Sequence, residues 1–451
     1  MILLINPKYD MGTLFGKPLR LRYAMPPLGL AYIVAVLEKN NVQVELIDDY
    51  VTDIGLKGIL DKVKEIKPDV VGISCLTPSA NEVYSMAKEI KAYNPNTTIV
   101  LGNVHASYFT ESILKEKIAD VIVHFEGEYT LLELVKAIED NKDISNIRGI
   151  SYLKDSKVVN NPLRPFIENL NELPLPAWHR FPIESYRFPS FVTSDKSALP
   201  VLASRGCPFG CIHCSAVKTM GKRYRKRNPV KVVDEIEYLI EKFGVKQIVF
   251  LDATFALQKE HGMEICNQII SRNINKKITW SCETRPDVVD KELLHKMYEA
   301  GCRRICYGFE SGVQSLLDNL KKGFTLEDTK KAVKYTKEVG IKNIGSFIFG
   351  TPGESKKTIK QTIQFAKALD LNYIKIHMLI PFPGTPFYEN LIKTGKLKAD
   401  SWKKIGSFYP DSDNILYVPD EIEKDELIKM QRRATLGFIL NPKMIFRKMI
   451  K

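Results

Sequence analysis

Short apolar runs alternate with longer amphipathic stretches throughout residues 1–140. Ile2–Ile5, Gln43–Ile47, Val70–Ser74, Thr98–Leu101 and Val121–Val123 are rich in β-branched residues and predict strands. Leu28–Lys39, Ile54–Ile66, Asn81–Tyr93 and Tyr129–Asp140 place apolar positions at helical spacing and predict helices between them. Strands joined through helices of this length pair in parallel, which predicts a doubly wound, Rossmann-like sheet. Ligands of such sheets bind beyond the carboxyl ends of the strands. The loops there are Asn6-Pro-Lys8, Asp48-Asp-Tyr50, Ser74-Cys-Leu-Thr77, Gly102-Asn-Val-His-Ala-Ser107 and His124-Phe-Glu-Gly-Glu128. Their glycines and small hydroxyl residues suit close approach of a large planar ligand.

The pattern then breaks. Residues 141–195 hold Asn160-Asn-Pro-Leu-Arg-Pro-Phe166 and Leu173-Pro-Leu-Pro-Ala-Trp-His-Arg-Phe-Pro182, with few helix signals, and predict an extended linker. Alternation resumes over 196–395. Strands are expected at Gln247–Leu251, Thr279–Ser281, Arg304–Gly308, Gly345–Phe349 and Tyr373–Leu379, and helices at Pro229–Phe243, Lys291–Glu299, Thr325–Val339 and Ser355–Leu369. The remaining 396–451 contain Ser401-Trp-Lys-Lys404 and a helix over Lys424–Phe438, expected to cover the site.

A chain of 451 residues exceeds what one core supports, consistent with two α/β domains and a small helical C-terminal region. No apolar run is long enough to span a membrane, and the N-terminus reads as a first strand and not as a signal peptide. The net charge of +13 would suit a polyanionic partner, but the lysines are scattered. The densest run, Lys222-Arg-Tyr-Arg-Lys-Arg227, lies near the chemistry described next. The basic, amphipathic segment Lys443–Lys451 is expected to cap the fold, with contact to a membrane surface as the alternative. Eight cysteines without a paired framework suit a reducing, cytoplasmic setting.

Three of those cysteines, Cys207, Cys211 and Cys214, fall within Ser204-Arg-Gly-Cys-Pro-Phe-Gly-Cys-Ile-His-Cys-Ser215. Three thiolates at this spacing can hold three corners of a [4Fe–4S] cube and leave one iron open, since a complete site takes four Cys. A structural zinc site would want a fourth ligand, and His213 is poorly placed between two cysteines to supply it. Cys282, Cys302 and Cys306 read as core residues. The triplet resembles that of the radical SAM superfamily, with His213 where the family often carries an aromatic residue. The resemblance implies a partial (β/α)6 TIM-like barrel, with S-adenosylmethionine (SAM) on the open iron and cleaved to a 5′-deoxyadenosyl radical. Pro381-Phe-Pro-Gly-Thr-Pro-Phe-Tyr-Glu-Asn390 also matches such relatives and ends the barrel. SAM contacts are then expected at strand ends: Glu283, Arg285, Glu310, Ser311 and Gly350, with Glu310 on the SAM ammonium and Arg285 or Ser311 on its carboxylate. Asp252 is placed at the same mouth, and Glu354 is either a site group or a helix cap.

With that motif in place, residues 1–140 resemble the cobalamin-binding domain of B12-dependent radical SAM enzymes. The matching pieces are Pro26-Pro-Leu-Gly-Leu-Ala-Tyr32, the Ser74-x-Leu76 turn, the Gly102…His105 loop and Glu126-Gly127-Glu128. The resemblance implies cobalamin contacts at Ser74, Leu76, Gly102, His105, Glu126 and Gly127. Asn103 replaces a glycine usual in that loop, and Asp48-Asp-Tyr-Val-Thr-Asp-Ile-Gly55 lacks the His of methionine-synthase-like domains. Cobalamin is therefore expected with its own base displaced and no His from that segment on cobalt; His105 is expected to hydrogen-bond, with cobalt ligation as the alternative.

The function implied is methyl transfer from methylcobalamin to an unactivated carbon or phosphorus of a small-molecule, lipid or peptide substrate, with a low-potential donor such as ferredoxin or flavodoxin. A B12-linked cyclase of the anaerobic magnesium-protoporphyrin ester cyclase kind is the alternative. A tRNA methylthiotransferase would want further N-terminal cysteines, whereas residues 1–206 hold only Cys75, so a nucleic-acid substrate is not expected.

Overall fold

The computed structural model describes residues 1–9, 13, 14, 17, 18, 24–189, 192, 193, 197–405 and 415–440. The segment Lys443–Lys451 lies outside the described residues.

The first domain is a sheet of seven strands: β1 (Ile2–Asn6), β2 (Val44–Asp48), β3 (Val70–Ser74), β4 (Thr98–Gly102), β5 (Val121–Val123), β6 (Ile150–Lys154) and β7 (Lys157–Asn160), in the order β2-β1-β3-β4-β5-β6-β7. The strands β1–β5 are parallel, with Ile2 opposite both Val44 and Val70. Alternation along β1 divides the core. Leu3 and Ile5 pack with Ile59, Val63, Val83 and Met86 from the helices Gly55–Ile66 and Ala80–Tyr93. Ile2 and Leu4 pack with Val34, Leu37, Leu131 and Leu134 from the helices Leu28–Lys39 and Glu128–Glu139 on the opposite face.

Residues 150–160 depart from the extended linker expected for 141–195. They form an antiparallel hairpin on β5, with Val123 opposite Ile150. Ser151 takes part through a hydroxyl that donates to Asn160 Oδ1 at 2.7 Å. A two-strand addition at a sheet edge needs little periodic signal of its own, because the parent sheet supplies half of its hydrogen bonds.

The second domain is a sheet of six parallel strands in sequential order: β8 (Ala198–Val201), β9 (Gln247–Phe250), β10 (Thr279–Thr284), β11 (Cys302–Glu310), β12 (Lys342–Phe349) and β13 (Tyr373–Met378). This is the partial barrel expected. Local signals set the helices between the strands. Asn228 caps the helix Pro229–Phe243 by accepting from the Val230 amide, and Thr325 and Ser355 form capping boxes on the helices Leu326–Val339 and Lys356–Ala368. Trp280, Cys282, Ile305, Tyr307, Phe309, Phe347 and Phe349 face these helices in one continuous core.

Among the described residues, the C-terminal region packs elsewhere than over the site it was expected to cover. Leu427, Met430, Ala434 and Phe438 of the helix Lys424–Ile439 join the helix-covered core of the barrel, and Gln431 Nε2 donates to Ile376 O at 2.9 Å. Trp402 and Ile405 instead enter the core of the first domain.

Candidate functional site

The cluster loop leaves the carboxyl end of β8. Arg205 and Arg225 pair across a short antiparallel ladder at its base, and Gly206 sits at φ +97°, where an added Cβ would lie 2.0 Å from Arg223 O. Only glycine fits that turn. The Cys207 amide donates to Gly221 O and the Cys214 amide to Cys211 O, which close the loop on itself, and Ala216 N donates to Cys214 Sγ at 3.4 Å. All three thiols are free, with Cys207 and Cys211 half-buried and Cys214 exposed. In a cubane each thiolate binds its own iron, so three cysteines of one loop can serve three corners without meeting at a single ion. Burial raises the Cys211 thiol, opposed by the charges of Lys322 and Arg285.

Lys322 is a residue that sequence reasoning missed. Its Nζ donates to Glu310 Oε1 at 2.9 Å, with both groups buried. Burial alone would raise the Glu310 carboxyl, but Lys322 and then His213 outweigh it and hold the group below its ordinary value. Glu310 itself stands at φ +63° on an irregularity between β11 and β12, a strained backbone of the kind concentrated at working sites. Gly308 leaves the room that pair needs, since a Cβ there would lie 2.7 Å from Glu310 Oε1. Nothing in the periodicity of Lys321-Lys322-Gly323 marks the lysine, because its role depends on a turn that returns it to the strand end.

The other expected SAM groups scatter. Arg285 bonds Asp287 through two nitrogens at 2.9 and 2.8 Å and donates to Lys322 O at 2.7 Å, while its guanidinium lies 3.5 Å from the centre of the Phe209 ring in the cluster loop. It is a brace beneath the loop. Ser311 turns away to Thr362 Oγ1 and the Val313 amide. Gly350 meets Leu427 and Leu379 on the helical side, and its amide and that of Thr351 donate to the buried Glu354, which closes its own turn instead of capping the helix through the site. Glu283 lies on the inner wall, 3.7 Å from Lys375 Nζ. Asp252 is buried and accepts from the Ala203 amide and the Ser204 hydroxyl, so it holds the base of the cluster loop.

A cavity of about 560 Å³ opens beyond the carboxyl ends of β1, β3, β4 and β5. Ser74, Leu76, Gly102, Glu126 and Gly127 line it, together with Asn103 and Val104. From the barrel side its wall is Leu202, Arg205, Leu251 and the cluster-loop residues Ser215, Thr219 and Met220. The cavity fits a bulky planar group. It is largely apolar, and at Gly102 an added Cβ would meet only Val123 O, at 3.8 Å. Asn103 is explained by its φ of +80°, a left-handed position that Asn tolerates better than other side chains; its Oδ1 accepts from the Val104 amide and its Nδ2 donates to Ser74 Oγ.

His105 is not in this cavity. It is fully buried, with Nε2 3.0 Å from Tyr84 Oη, Nδ1 3.2 Å from Thr77 Oγ1, and Trp402 packed edge-on at 4.5 Å. Burial pushes its pKa down to about 3. Both nitrogens are engaged by hydroxyls, so the cobalt-ligand alternative is not met and the residue anchors the tail.

Glu126 is likewise occupied. Arg205 reaches Glu126 at 3.1 Å and Glu128 at 2.7 Å, and Arg225 spans both Glu126 oxygens at 2.9 and 3.0 Å, all four side chains being buried. Of the Lys222–Arg227 run, Arg225 thus joins an interdomain clamp, while Arg227 pairs with the buried Glu235 of the barrel and Arg223 with the exposed Glu168. Burial opposes the Arg205 charge, but Glu128 and Glu126 outweigh it and raise its pKa.

A cubane-spaced triplet at the mouth of a partial barrel, beside a cavity on a parallel sheet, defines a radical SAM enzyme with a second cofactor domain. Residues 201–366 match the model of the Radical SAM superfamily, and residues 19–135 that of the B12 binding domain. The chain is 33% identical over 426 residues to an uncharacterised methyltransferase of Pyrococcus horikoshii, covering 94% of this chain and 89% of that one. It is 30% identical to the anaerobic magnesium-protoporphyrin IX monomethyl ester cyclase of Rubrivivax gelatinosus, covering 98% and 77% of the two chains. The fold is also that of the radical SAM methyltransferase TsrM from Kitasatospora setae, solved with cobalamin and a [4Fe–4S] cluster, at a TM-score of 0.72, 22% identity and coverage of 87% and 74%. The chain belongs to the radical SAM superfamily, among its members that carry a B12 binding domain. Its cofactors are a [4Fe–4S] cluster, SAM and cobalamin. No described helix is long and apolar enough to cross a membrane.

Proposed function

We propose that this protein is a cobalamin-dependent radical SAM methyltransferase acting on an unactivated carbon or phosphorus. The observation that carries the reading is the shared wall. Ser215, next to Cys214, and Thr219 and Met220 of the helix Ala216–Met220 line the cavity of the first domain. A methyl carrier and a radical generator would then be separated by one short helix. When bound, the cluster supplies the electron that cleaves SAM, and cobalamin supplies a transferable methyl group. Cys207, Cys211 and Cys214 would hold the cluster. Glu310, steadied by Lys322, would take the SAM ammonium, and Arg285 would hold Phe209 and with it the loop. The first domain would comprise residues 1–140 extended by the hairpin at 150–160, followed by the remaining linker to 195, the radical core 196–395 and the C-terminal region 396–451. The substrate would be a small molecule, lipid or peptide, and the electron donor a ferredoxin or flavodoxin in a reducing cytoplasm.

Cyclisation is the second reading, favoured by the 30% identity to the Rubrivivax cyclase. SAM carrying a deuterated methyl separates the two. A methyltransferase gives labelled product with S-adenosylhomocysteine and 5′-deoxyadenosine together; unlabelled product with 5′-deoxyadenosine alone would establish the cyclase.

A further inference from the structure

Among the described residues, the inner wall of the barrel holds a buried cation, Arg304, that no carboxylate pairs. Along β11 the residues facing the helices are Cys302, then Ile305, Tyr307 and Phe309. The register shifts between Trp280 and Ser281, so Trp280 pairs with Cys302 but Ser281 pairs with Arg304. That irregularity inserts Arg303, which leans outward on the Tyr298 ring, and turns Arg304 to the inner face beside Ser281. Arg304 is 4% exposed. Among the described residues its side chain has no carboxylate or hydrogen-bond partner, and its Nε and the neighbouring Ser281 Oγ are both buried and unpaired. Glu283, two residues beyond Ser281 on the same strand, faces Lys375 instead. The Glu283 side chain is 60% exposed although it lies on an interior strand, so the wall above Arg304 and Ser281 opens to solvent.

A guanidinium cannot shed its proton, and burying it unpaired is costly, as is burying a hydroxyl without a partner. Two such groups side by side in a lumen open above them are a donor set awaiting an acceptor. We propose that Arg304 and Ser281 bind an anionic group of the substrate, a carboxylate or a phosphoryl group. Arg304 supplies paired N–H donors, Ser281 a third, and the rest of the substrate extends up the lumen past Glu283 toward the cluster loop. This rests on reading the barrel as the domain that holds substrate.

The test uses the reconstituted protein, with inorganic phosphate and acetate as probes against chloride at equal ionic strength. Thermal melting of the wild type should rise saturably with one or both anions. A rise with phosphate alone assigns a phosphoryl group, and a rise with acetate alone a carboxylate. Arg304→Met should abolish the rise and melt no lower than the wild type in chloride, because it removes an uncompensated charge; Arg303→Gln should keep the rise. Equal anion-induced shifts in Arg304→Met and wild type, or none in either, would overturn the proposal. A second measurement needs no variant: phosphate should slow phenylglyoxal modification of Arg304 several-fold, read by peptide mass analysis, and absence of protection counts against the site. SAM cleavage by the wild type without substrate is scored separately, so its failure would sink the functional reading while leaving the anion-binding result to stand or fall alone.

Discussion

Replacing Glu126 by Ala should destabilise the whole molecule, because its carboxylate bonds two buried arginines of the other domain. The side chains of Arg205, Arg225, Glu126 and Glu128 are respectively 8%, 2%, 9% and 4% exposed. Two arginines and two glutamates balance. Removing Glu126 leaves Arg205 with Glu128 alone, and Arg225 with only the carbonyls of Ile167 and Met220, so one positive charge is buried without compensation. Breaking such a pair costs about 3–5 kcal/mol, against ~0.2–1 kcal/mol for an exposed pair. Urea unfolding under anaerobic conditions should therefore show a large fall in midpoint, with iron and corrin lost in the same transition, because Arg205 lies two residues from Cys207 while Glu126 lines the cavity of the first domain. The double variant Glu126→Leu with Arg225→Met should recover part of the loss, since an apolar replacement of a buried pair removes the orphaned charge. A loss below about 1 kcal/mol, as for an exposed pair, or a double variant whose loss is the sum of the two singles, would refute the reasoning.

Replacing Cys207, Cys211 and Cys214 together by Ala should abolish iron loading after anaerobic reconstitution, and retention of about four irons per chain would count against the assignment. Gly102→Leu should block hydroxocobalamin retention on gel filtration while sparing iron, because its Cβ meets only Val123 O, at the ordinary contact distance of 3.8 Å, and Gly102 lines the cavity; loss of iron as well would show that the effect is general unfolding. Burial raises the carboxyl of Glu354 to about 7, despite the amides of Gly350 and Thr351. The folded state therefore holds that proton more tightly than the unfolded one, and the stability it contributes is complete below the unfolded carboxylate range and lost as pH rises toward about 7. Glu354→Gln should flatten that part of the pH dependence of urea midpoints between pH 4 and 7, and an unchanged slope would assign it elsewhere.

The shorter helices went unseen, but the alternation of β-branched runs with amphipathic helices located every parallel strand but Ala198–Val201 and every described helix of nine or more residues but Lys259–Ser271, several of them to the residue, as at Val70–Ser74, Leu28–Lys39 and Pro229–Phe243. That was possible because strand and helix periodicities are local and each of these elements buries a full face. The Cys207–Cys214 spacing was equally legible, since its three cysteines share one loop. Tertiary structure decided what depends on partners remote in sequence. The hairpin at 150–160 exists because the edge of β5 was available to pair with. Glu126 became half of a clamp because Arg205 and Arg225 arrive from the other domain, and His105 became an anchor because Trp402, Tyr84 and Thr77 close around it. Lys322 reached Glu310, and Arg304 was left without a counter-charge, through a turn and a register shift that leave no mark on hydrophobic periodicity. Sequence pattern records which face of an element is apolar; the destination of a buried charge depends on which other charges the fold brings within a few ångströms, and that is a property of the packed chain alone.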